Sequence, residues 1–167
     1  LESERSSFLD RARSASEITI PSLLVNEGHS SSTILHTPYQ SIGAEGVNNL
    51  SSKLLLSLIP PNAPFFRLVI DDAELEELVA NQRGEVEETL SKIERMVQQE
   101  IEVRALRVPI SEALKQLIVA GNVLVYLPEN QQMRVFKLDR YVVKRDSMGN
   151  VLKIVVKETM SPLSLPE

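Results

Sequence analysis

The chain has 167 residues, of which 43% are hydrophobic, 25% are charged and only 4% are aromatic. This composition predicts one globular domain with an aliphatic core, long enough to bury roughly two thirds of the surface that the unfolded chain exposes. The sequence contains no cysteine, which excludes disulfides and thiolate metal sites. No apolar run has the length needed to cross a bilayer, so we expect no membrane partner.

The net charge of −5 conceals an uneven distribution of charge. Residues 71–102 contain eleven acidic and three basic side chains, whereas residues 134–157 contain seven basic and two acidic ones. This balance excludes a uniformly basic nucleic-acid binder. It remains compatible with a protein that must avoid adhering to DNA.

The first 36 residues predict one helix followed by a loop. Helical periodicity over residues 4–17 places Phe8, Ala12 and Ala15 on one side, and the apolar stretch 18–24 follows. Residues 26–33 have the Asn, Gly and Ser content of a loop. His29 and His36 lie in or beside this loop without carboxylates at ligand spacing, so we interpret them as solvated histidines and expect no metal.

Residues 37–62 predict a second helix with both ends marked. Thr37 and Gln40 have the spacing of a capping box, Pro38 suits the first turn, and Pro60 stops the helix. The predicted buried stripe consists of apolar side chains at helical spacing, namely Tyr39, Ile42, Val47, Leu50, Leu54 and Leu58.

Two glycines within this helix each cost roughly 1 kcal/mol relative to alanine, which indicates that another backbone comes close. Together with the neighbouring leucines they are the candidate contact residues Gly43, Gly46, Leu50 and Leu54. Two explanations remain open at this point. Either the helix crosses a neighbouring helix within the same subunit, or it packs against another subunit.

The middle of the chain predicts a strand over residues 64–70, a short acidic helix over 71–80 that Gly84 interrupts, and a helix over 85–102. The apolar positions of that last helix recur at spacings of three and four: Val86, Leu90, Ile93, Val97 and Ile101. The carboxylates of its first turn lack the spacing of an oxygen-ligand loop and indicate a solvated face.

Residues 109–127 predict an amphipathic helix that leads directly into an apolar strand. Its predicted buried face is Ile110, Ala113, Leu114, Leu117 and Ile118, and the opposite face is Ser111, Glu112, Lys115 and Gln116. Gly121 and Asn122 are residue types that accept the left-handed conformation at a helix end. The strand 123–127 has no polar alternation, so we expect it to be covered on both faces.

Two hairpins are predicted next. Residues 127–132 turn into 133–138, and residues 146–150 connect 141–145 with 151–157, whose alternation predicts a half-buried sheet. The exposed side of that sheet is basic, and Arg140, Lys144 and Arg145 are candidates for weak phosphate contact. The alternative is the ordinary surface of a soluble sheet, because no aromatic side chains are interleaved.

Together these elements predict an α+β fold in which helices pack on short antiparallel strands. We expect a single region over residues 1–167, helical to about 121 and β-rich from about 122 to 158. The sequence has no nucleophile elbow, phosphate-binding loop or zinc helix motif. We therefore expect no catalytic, cofactor-binding or metal-binding residues. We also expect that the protein is not an enzyme.

Four segments, taken in order, resemble the N-terminal part of the portal proteins, or head-to-tail connectors, of short-tailed bacteriophages. They are ITIPSLL (18–24), TPYQSIGAEGVNNLSSKLLLSLIPPN (37–62), EALKQLIVAGNVLVYLPEN (112–130) and DRYVVKRDSMGNVLKIVVKE (139–158). One departure is Glu45, where the related stretch carries a basic residue.

This resemblance implies the outer wing of a longer subunit whose stem and channel lining lie beyond Glu167. It implies a twelve-fold ring at the capsid vertex of the virion, assembled in the host cytoplasm, through which double-stranded DNA passes during packaging and ejection. The implied protein partners are terminase, scaffold, capsid and tail proteins. The alternative is a stand-alone intracellular α+β interaction module, with which the composition is equally compatible.

Overall fold

The computed structural model describes residues 3–26, 28–29, 32–61, 63–69, 80–129 and 131–159. The described helices are α1 (Ser6–Ile18), α2 (Ile42–Leu58), α3 (Ala80–Val103) and α4 (Arg107–Ala120), with short 3₁₀ turns at Ser3–Arg5 and Leu138–Arg140. The strands are β1 (Leu124–Tyr126), β2 (Arg134–Phe136), β3 (Tyr141–Arg145) and β4 (Val151–Val156). They form two antiparallel hairpins, β1–β2 and β3–β4. The predicted α+β class is confirmed.

The core lies where α1 meets the start of the second hairpin. Its buried members are Leu9, Ala12, Leu24, Leu138 and Tyr141. On the predicted apolar side of α1, Ala12 is buried and Ala15 is half-buried, but Phe8 is exposed and Leu9 is buried in its place. Ser16 completes the buried face, since its hydroxyl donates to the Ile20 oxygen at 2.8 Å and accepts from the Leu24 amide at 3.1 Å. These two bonds close the turn that follows α1 and explain a fully buried serine.

Helix α2 ends as predicted and begins later than predicted. Ile59 caps its C-terminus by donating to the Leu55 oxygen, directly before Pro60. Its start was predicted at Pro38, but Ser41 is the N-terminal flanking residue. Ser41 is also a favoured residue type at this position, and its main-chain oxygen accepts the first helical bond, from the Glu45 amide. The predicted capping box at Thr37 and Gln40 is therefore not the start of α2.

Two predictions for the middle of the chain are wrong. The described part of the predicted strand, residues 64–69, forms no strand, and the Leu68 amide donates instead to the Glu94 carboxylate of α3 at 2.7 Å. Helix α3 continues through Gly84, because a glycine inside a helix costs only about 1 kcal/mol and does not by itself end it. The acidic helix predicted over 71–80 lies outside the described residues, except that Ala80 begins α3.

Helix α3 is joined to α4 by a tight left-handed turn. Ala105 has φ 50°, its amide donates to the Glu102 oxygen, and the Leu106 amide donates to the Ile101 oxygen. This is the hydrogen-bond pattern of a Schellman motif, in which the left-handed position is usually glycine. Leu106 is buried, so the motif anchors the start of α4.

Helix α4 is buried on two sides. It packs against α1 and α2, and it buries Ala113, Leu114 and Gln116. The prediction that Gln116 faces solvent was wrong, because the turn after α1 covers that side and the Gln116 amide nitrogen donates to the Leu23 oxygen at 3.4 Å. Gly121 ends the helix with φ 73°, which confirms the predicted left-handed residue.

Both predicted hairpins are confirmed in their pairing. Leu124 pairs with Phe136 in the first, and Tyr141 pairs with Val156 in the second. The predicted burial was wrong, because Val125 and Tyr126 of β1 are exposed and so is every residue of β4. The alternation of β4 therefore has no core to face within the described chain.

Candidate subunit-contact surfaces

Several exposed apolar side chains lie on α2. Val47 and Ser51 are buried, whereas Ile42 and Leu50 are 71% and 47% exposed. The predicted stripe is therefore only partly buried: Val47 is in the core and Leu54 is half-buried, whereas Tyr39, Ile42, Leu50 and Leu58 are exposed. Helix α2 packs against α4. Ile42, Gly46 and Leu50 follow one another at i, i+4 and i+8 and form the outer ridge of α2.

The two glycines of α2 have different surroundings. A β-carbon added to Gly43 would lie 2.6 Å from the Ile18 main-chain oxygen and 3.2 Å from the Thr19 α-carbon. A β-carbon added to Gly46 would meet no atom within 4 Å. Gly43 thus lies at a close approach inside the chain, whereas Gly46 has no neighbour there that requires a glycine. Leu54 is half-buried and Leu50 is exposed, so burial differs among these four predicted residues, and their role as a subunit contact stays a prediction.

The candidate phosphate contacts lie in β3 and in the 3₁₀ turn before it. Arg140 lies in a 3₁₀ turn with its guanidinium 3.6 Å from the Asp139 carboxylate, and Arg145 donates to the Gly149 oxygen at 2.8 Å. Lys144 lies in β3, directly opposite Lys153 of β4. No bound anion tests these positions, so phosphate contact at Arg140, Lys144 and Arg145 stays a prediction.

Strand β4 and helix α3 present further apolar surface. Leu152 of β4 is 62% exposed, and Ile154 and Val155, which lie on opposite faces of that strand, are exposed as well. On α3, Met96 is 67% exposed, and the predicted inner residues Ile93 and Val97 are exposed too, because this side of the helix has no packing partner among the described residues. Sequence periodicity placed Ile93 and Val97 on one side of α3, but the prediction that this side is buried was wrong.

The histidines and carboxylates of the described residues are not grouped into a metal site. Within the described ranges, no three His, Asp or Glu side chains are grouped to hold a metal ion. His29 and His36 are exposed, and the ring of His36 makes an edge contact with Tyr39. No described helix combines the length and the apolar character that a membrane crossing requires.

Comparison with known proteins identifies the family. The family model for the bacteriophage head to tail connecting protein matches residues 1–164. The chain is 42% identical to the portal protein of Escherichia phage T7, in an alignment that covers all of this chain and 32% of that protein. It is 43% identical to the portal protein of Enterobacteria phage T3, again over all of this chain and 32% of that protein.

A more distant relative agrees. The portal protein of Enterobacteria phage SP6 is 32% identical over 92% of this chain and 30% of its own length. The chain thus spans about a third of the length of these relatives. The family match covers nearly all of the sequence, which confirms the resemblance. The chain belongs to the family of bacteriophage head to tail connecting proteins.

Proposed function

We propose that this chain is the N-terminal wing region of a portal subunit that assembles into a closed, twelve-fold ring at the capsid vertex of a virion. The observation that carries the proposal is the family match over residues 1–164, together with relatives named portal proteins. It favours a portal over a stand-alone interaction module, because the relatives that match this chain are named portal proteins.

The exposed apolar surfaces support an assembled state. Burying an aliphatic side chain that is otherwise exposed contributes about 1.5 to 3 kcal/mol, and the outer ridge of α2 offers two, Ile42 and Leu50. Gly46 lies between them, where the missing side chain lets another backbone approach. We therefore propose this ridge as one subunit contact. Identical contacts that join different surfaces close into a ring when the rotation divides the circle.

The ring conducts double-stranded DNA during packaging and ejection without gripping it. Each phosphate neutralised by Lys or Arg releases counterions and adds a favourable contact that sliding DNA must break. The net charge of −5 and the low aromatic content give this region little means of holding DNA. The same ring docks terminase, scaffold, capsid and tail proteins, as the portal assignment implies. The subunit assembles in the host cytoplasm and remains in the virion.

The test uses the full-length protein. Its mass is measured by light scattering, its shape by electron microscopy and its affinity for duplex DNA by titration at near-physiological salt. We expect rings of uniform size that bind duplex weakly. A uniform monomer at every concentration would contradict the portal assignment. Rings that bind duplex at nanomolar affinity would leave the assignment intact and contradict conduction with little grip.

A further inference from the structure

The second hairpin, α1 and the start of β1 border an apolar groove with a volume of about 540 Å³. One face of the hairpin, which carries Tyr141, Val143 and Ile154, lines the groove, and so do Phe8 and Leu124. Phe8 and Ile154 remain exposed, so the described chain leaves the groove open. An open apolar surface of this kind favours a partner that covers it.

The described charged side chains that line this groove are both basic, namely Arg5 and Arg145. Arg145 is exposed and donates to the Gly149 main-chain oxygen at 2.8 Å. Within the described part of the chain it forms no ion pair. An apolar groove with a basic margin is complementary to a segment whose apolar side chains are flanked by carboxylates.

One segment of this chain has that pattern in its sequence. Residues 71–79 read DDAELEELV and lie outside the described residues, directly before α3. They contain Leu75, Leu78 and Val79, whose i, i+3 and i+4 spacing is the one by which an amphipathic helix anchors in an apolar groove. The other residues are one alanine and five carboxylates. The sequence therefore combines apolar anchors with a strongly negative charge.

The segment suits the groove in length and in the placement of its charge. Nine helical residues are roughly 14 Å long, and the five residues of β3 extend roughly 17 Å along the groove. On a helix with 3.6 residues per turn, Glu74 and Glu76 flank the apolar stripe on opposite sides. A carboxylate therefore lies on the side of Arg145 whichever direction the helix takes in the groove.

Helix α3 separates the segment from the groove of its own subunit. The 24 residues of α3 extend roughly 36 Å, and their C-terminal end joins the N-terminal end of α4. The groove lies instead beyond the C-terminal end of α4, where Asn122 and Leu124 line it. Helix α3 does not pack along α4 or the second hairpin, so the described contacts do not hold its N-terminal end beside that groove. A contact between unlike surfaces of two copies is the kind that closes a ring.

We propose that residues 71–79 of one subunit dock as a helix in the apolar groove of the next. The three apolar side chains of the segment cover Phe8 and Ile154, and its carboxylates compensate the charge of Arg145. This inference rests on the proposed ring and adds the segment and the groove that join its subunits.

The first test compares two neighbouring residues of β4 in the full-length protein. Ile154 faces the groove and is 47% exposed, whereas Val155 lies on the opposite face of the strand and is 41% exposed. Ile154→Glu should raise the concentration at which rings dissociate by about tenfold or more, because an unpaired carboxylate is costly to bury in an apolar contact. Val155→Glu is the matched control and should leave assembly unchanged. An equal response of the two variants, both folded by circular dichroism, would overturn the role of the groove.

A charge reversal tests the segment. Arg145→Glu should weaken assembly, whereas Lys144→Glu, which lies next to it on the other face of β3, should not. Combining Arg145→Glu with Glu74→Lys and Glu76→Lys in one chain should restore rings, because every contact again joins opposite charges. A folded triple variant that assembles no better than Arg145→Glu alone would overturn docking of this segment.

Cysteine cross-linking identifies which copy supplies the segment. Any other cysteine of the full-length protein is first replaced by serine. Subunits with Ile154→Cys are then mixed with subunits carrying Leu78→Cys and oxidised with copper phenanthroline. A disulfide that joins the two populations is necessarily between copies, and we expect it in assembled rings and not when Val155→Cys replaces Ile154→Cys.

The remaining outcomes separate this contact from the ring itself. A chain that carries both Ile154→Cys and Leu78→Cys and gives only an internal disulfide would overturn docking between copies in favour of docking within one subunit. Assembled rings without the mixed disulfide would overturn it as well. If the unmodified protein forms no ring, the proposed function also fails; if it forms rings that none of these variants alters, this inference alone fails.

Discussion

The guanidinium of Arg5 donates a hydrogen bond to the main-chain oxygen of Tyr141, which lies 136 residues further along the chain. It also donates to the oxygens of Leu138, at 2.6 Å, and Asp139, at 3.0 Å. Burial raises the pKa of the Tyr141 hydroxyl, and the nearby charge of Arg5 offsets part of that rise. The first turn of the chain thereby fixes the position of the second hairpin on the core.

Replacing Arg5 should release this hairpin. A hydrogen bond from a charged group contributes about 1.5 to 3 kcal/mol, so we expect Arg5→Ala to lower the free energy of unfolding by about 2 to 4 kcal/mol. Arg5→Lys should recover only part of the loss, because an ammonium cannot reproduce the planar guanidinium. Hydrogen exchange in β3 and β4 measures the effect. Arg11→Ala is the control, and equal exchange in all three variants would contradict the role of Arg5.

The two glycines of α2 should respond in opposite directions to alanine. Gly43→Ala places a β-carbon 2.6 Å from the Ile18 oxygen, so α1 and α2 must separate, at a cost of about 1 to 3 kcal/mol. Gly46→Ala meets no atom within 4 Å and should stabilise the subunit by about 0.5 to 1 kcal/mol. Denaturant unfolding checks both. In the ring, Gly46→Leu should reduce assembly; unchanged ring yield would argue against the outer ridge of α2 as a contact.

Position 105 should accommodate glycine better than the alanine that occupies it. A left-handed residue with a β-carbon costs roughly 1 to 2 kcal/mol, which exceeds the added entropy of glycine in the unfolded chain. We therefore expect Ala105→Gly to raise the melting temperature slightly and Ala105→Val to lower it by several degrees. The reverse order of these two variants would show that Ala105 is not strained.

Gly121 has a left-handed conformation like that of Ala105, but here the residue present is already glycine. Its φ is 73°, and an added β-carbon meets no atom within 4 Å, so the cost of a side chain is conformational rather than steric crowding by neighbours. Gly121→Val should lower the free energy of unfolding by about 1 to 3 kcal/mol. Gly121→Asn serves as the control, because asparagine tolerates this region. Equal stability of the two variants would contradict the explanation.

Asp146 should make the second hairpin sensitive to acid. Hydrogen bonds from the Asn150 side chain and from the Asn150, Met148 and Gly149 amides lower the pKa of this carboxyl below its ordinary 3.8. A depressed pKa stabilises the fold at pH above about 3.8, and this contribution is lost as the pH falls through the folded pKa. Carbon-13 NMR titration should find the low pKa. Asp146→Asn should remove the acid-dependent part of hairpin stability, and an unshifted carboxyl would contradict the turn geometry.

Local signals in the sequence predicted several boundaries. Gly121 and Pro60 mark helix ends because each acts on the backbone at its own position. The turn over residues 146–150 was equally predictable, since the side chain of Asp146 accepts from the amides of Met148 and Asn150. Such features depend on neighbours in sequence and need no knowledge of packing.

The buried faces of the helices were predicted less well, because burial depends on which element, distant in sequence, packs against each helix. In α2 the exposed Ile42 and Leu50 and the buried Val47 belong to the same predicted stripe, so periodicity alone could not tell which of them the core covers. Gln116 was assigned to solvent by its polarity, although the turn after α1 covers it. The contact between Arg5 and Tyr141 had no signal in the sequence, since nothing local distinguishes that arginine from Arg11.

Strand β4 also favours association between copies of the chain. Residues 151–156 contain five aliphatic side chains, a single charge and no proline, which is the composition of segments that stack into fibres. Among the described residues, only β3 pairs with β4, so its other edge is a template for further strands. Lys153 is the one residue in the strand that opposes such stacking. We therefore expect the chain at high concentration to associate edge to edge through β4.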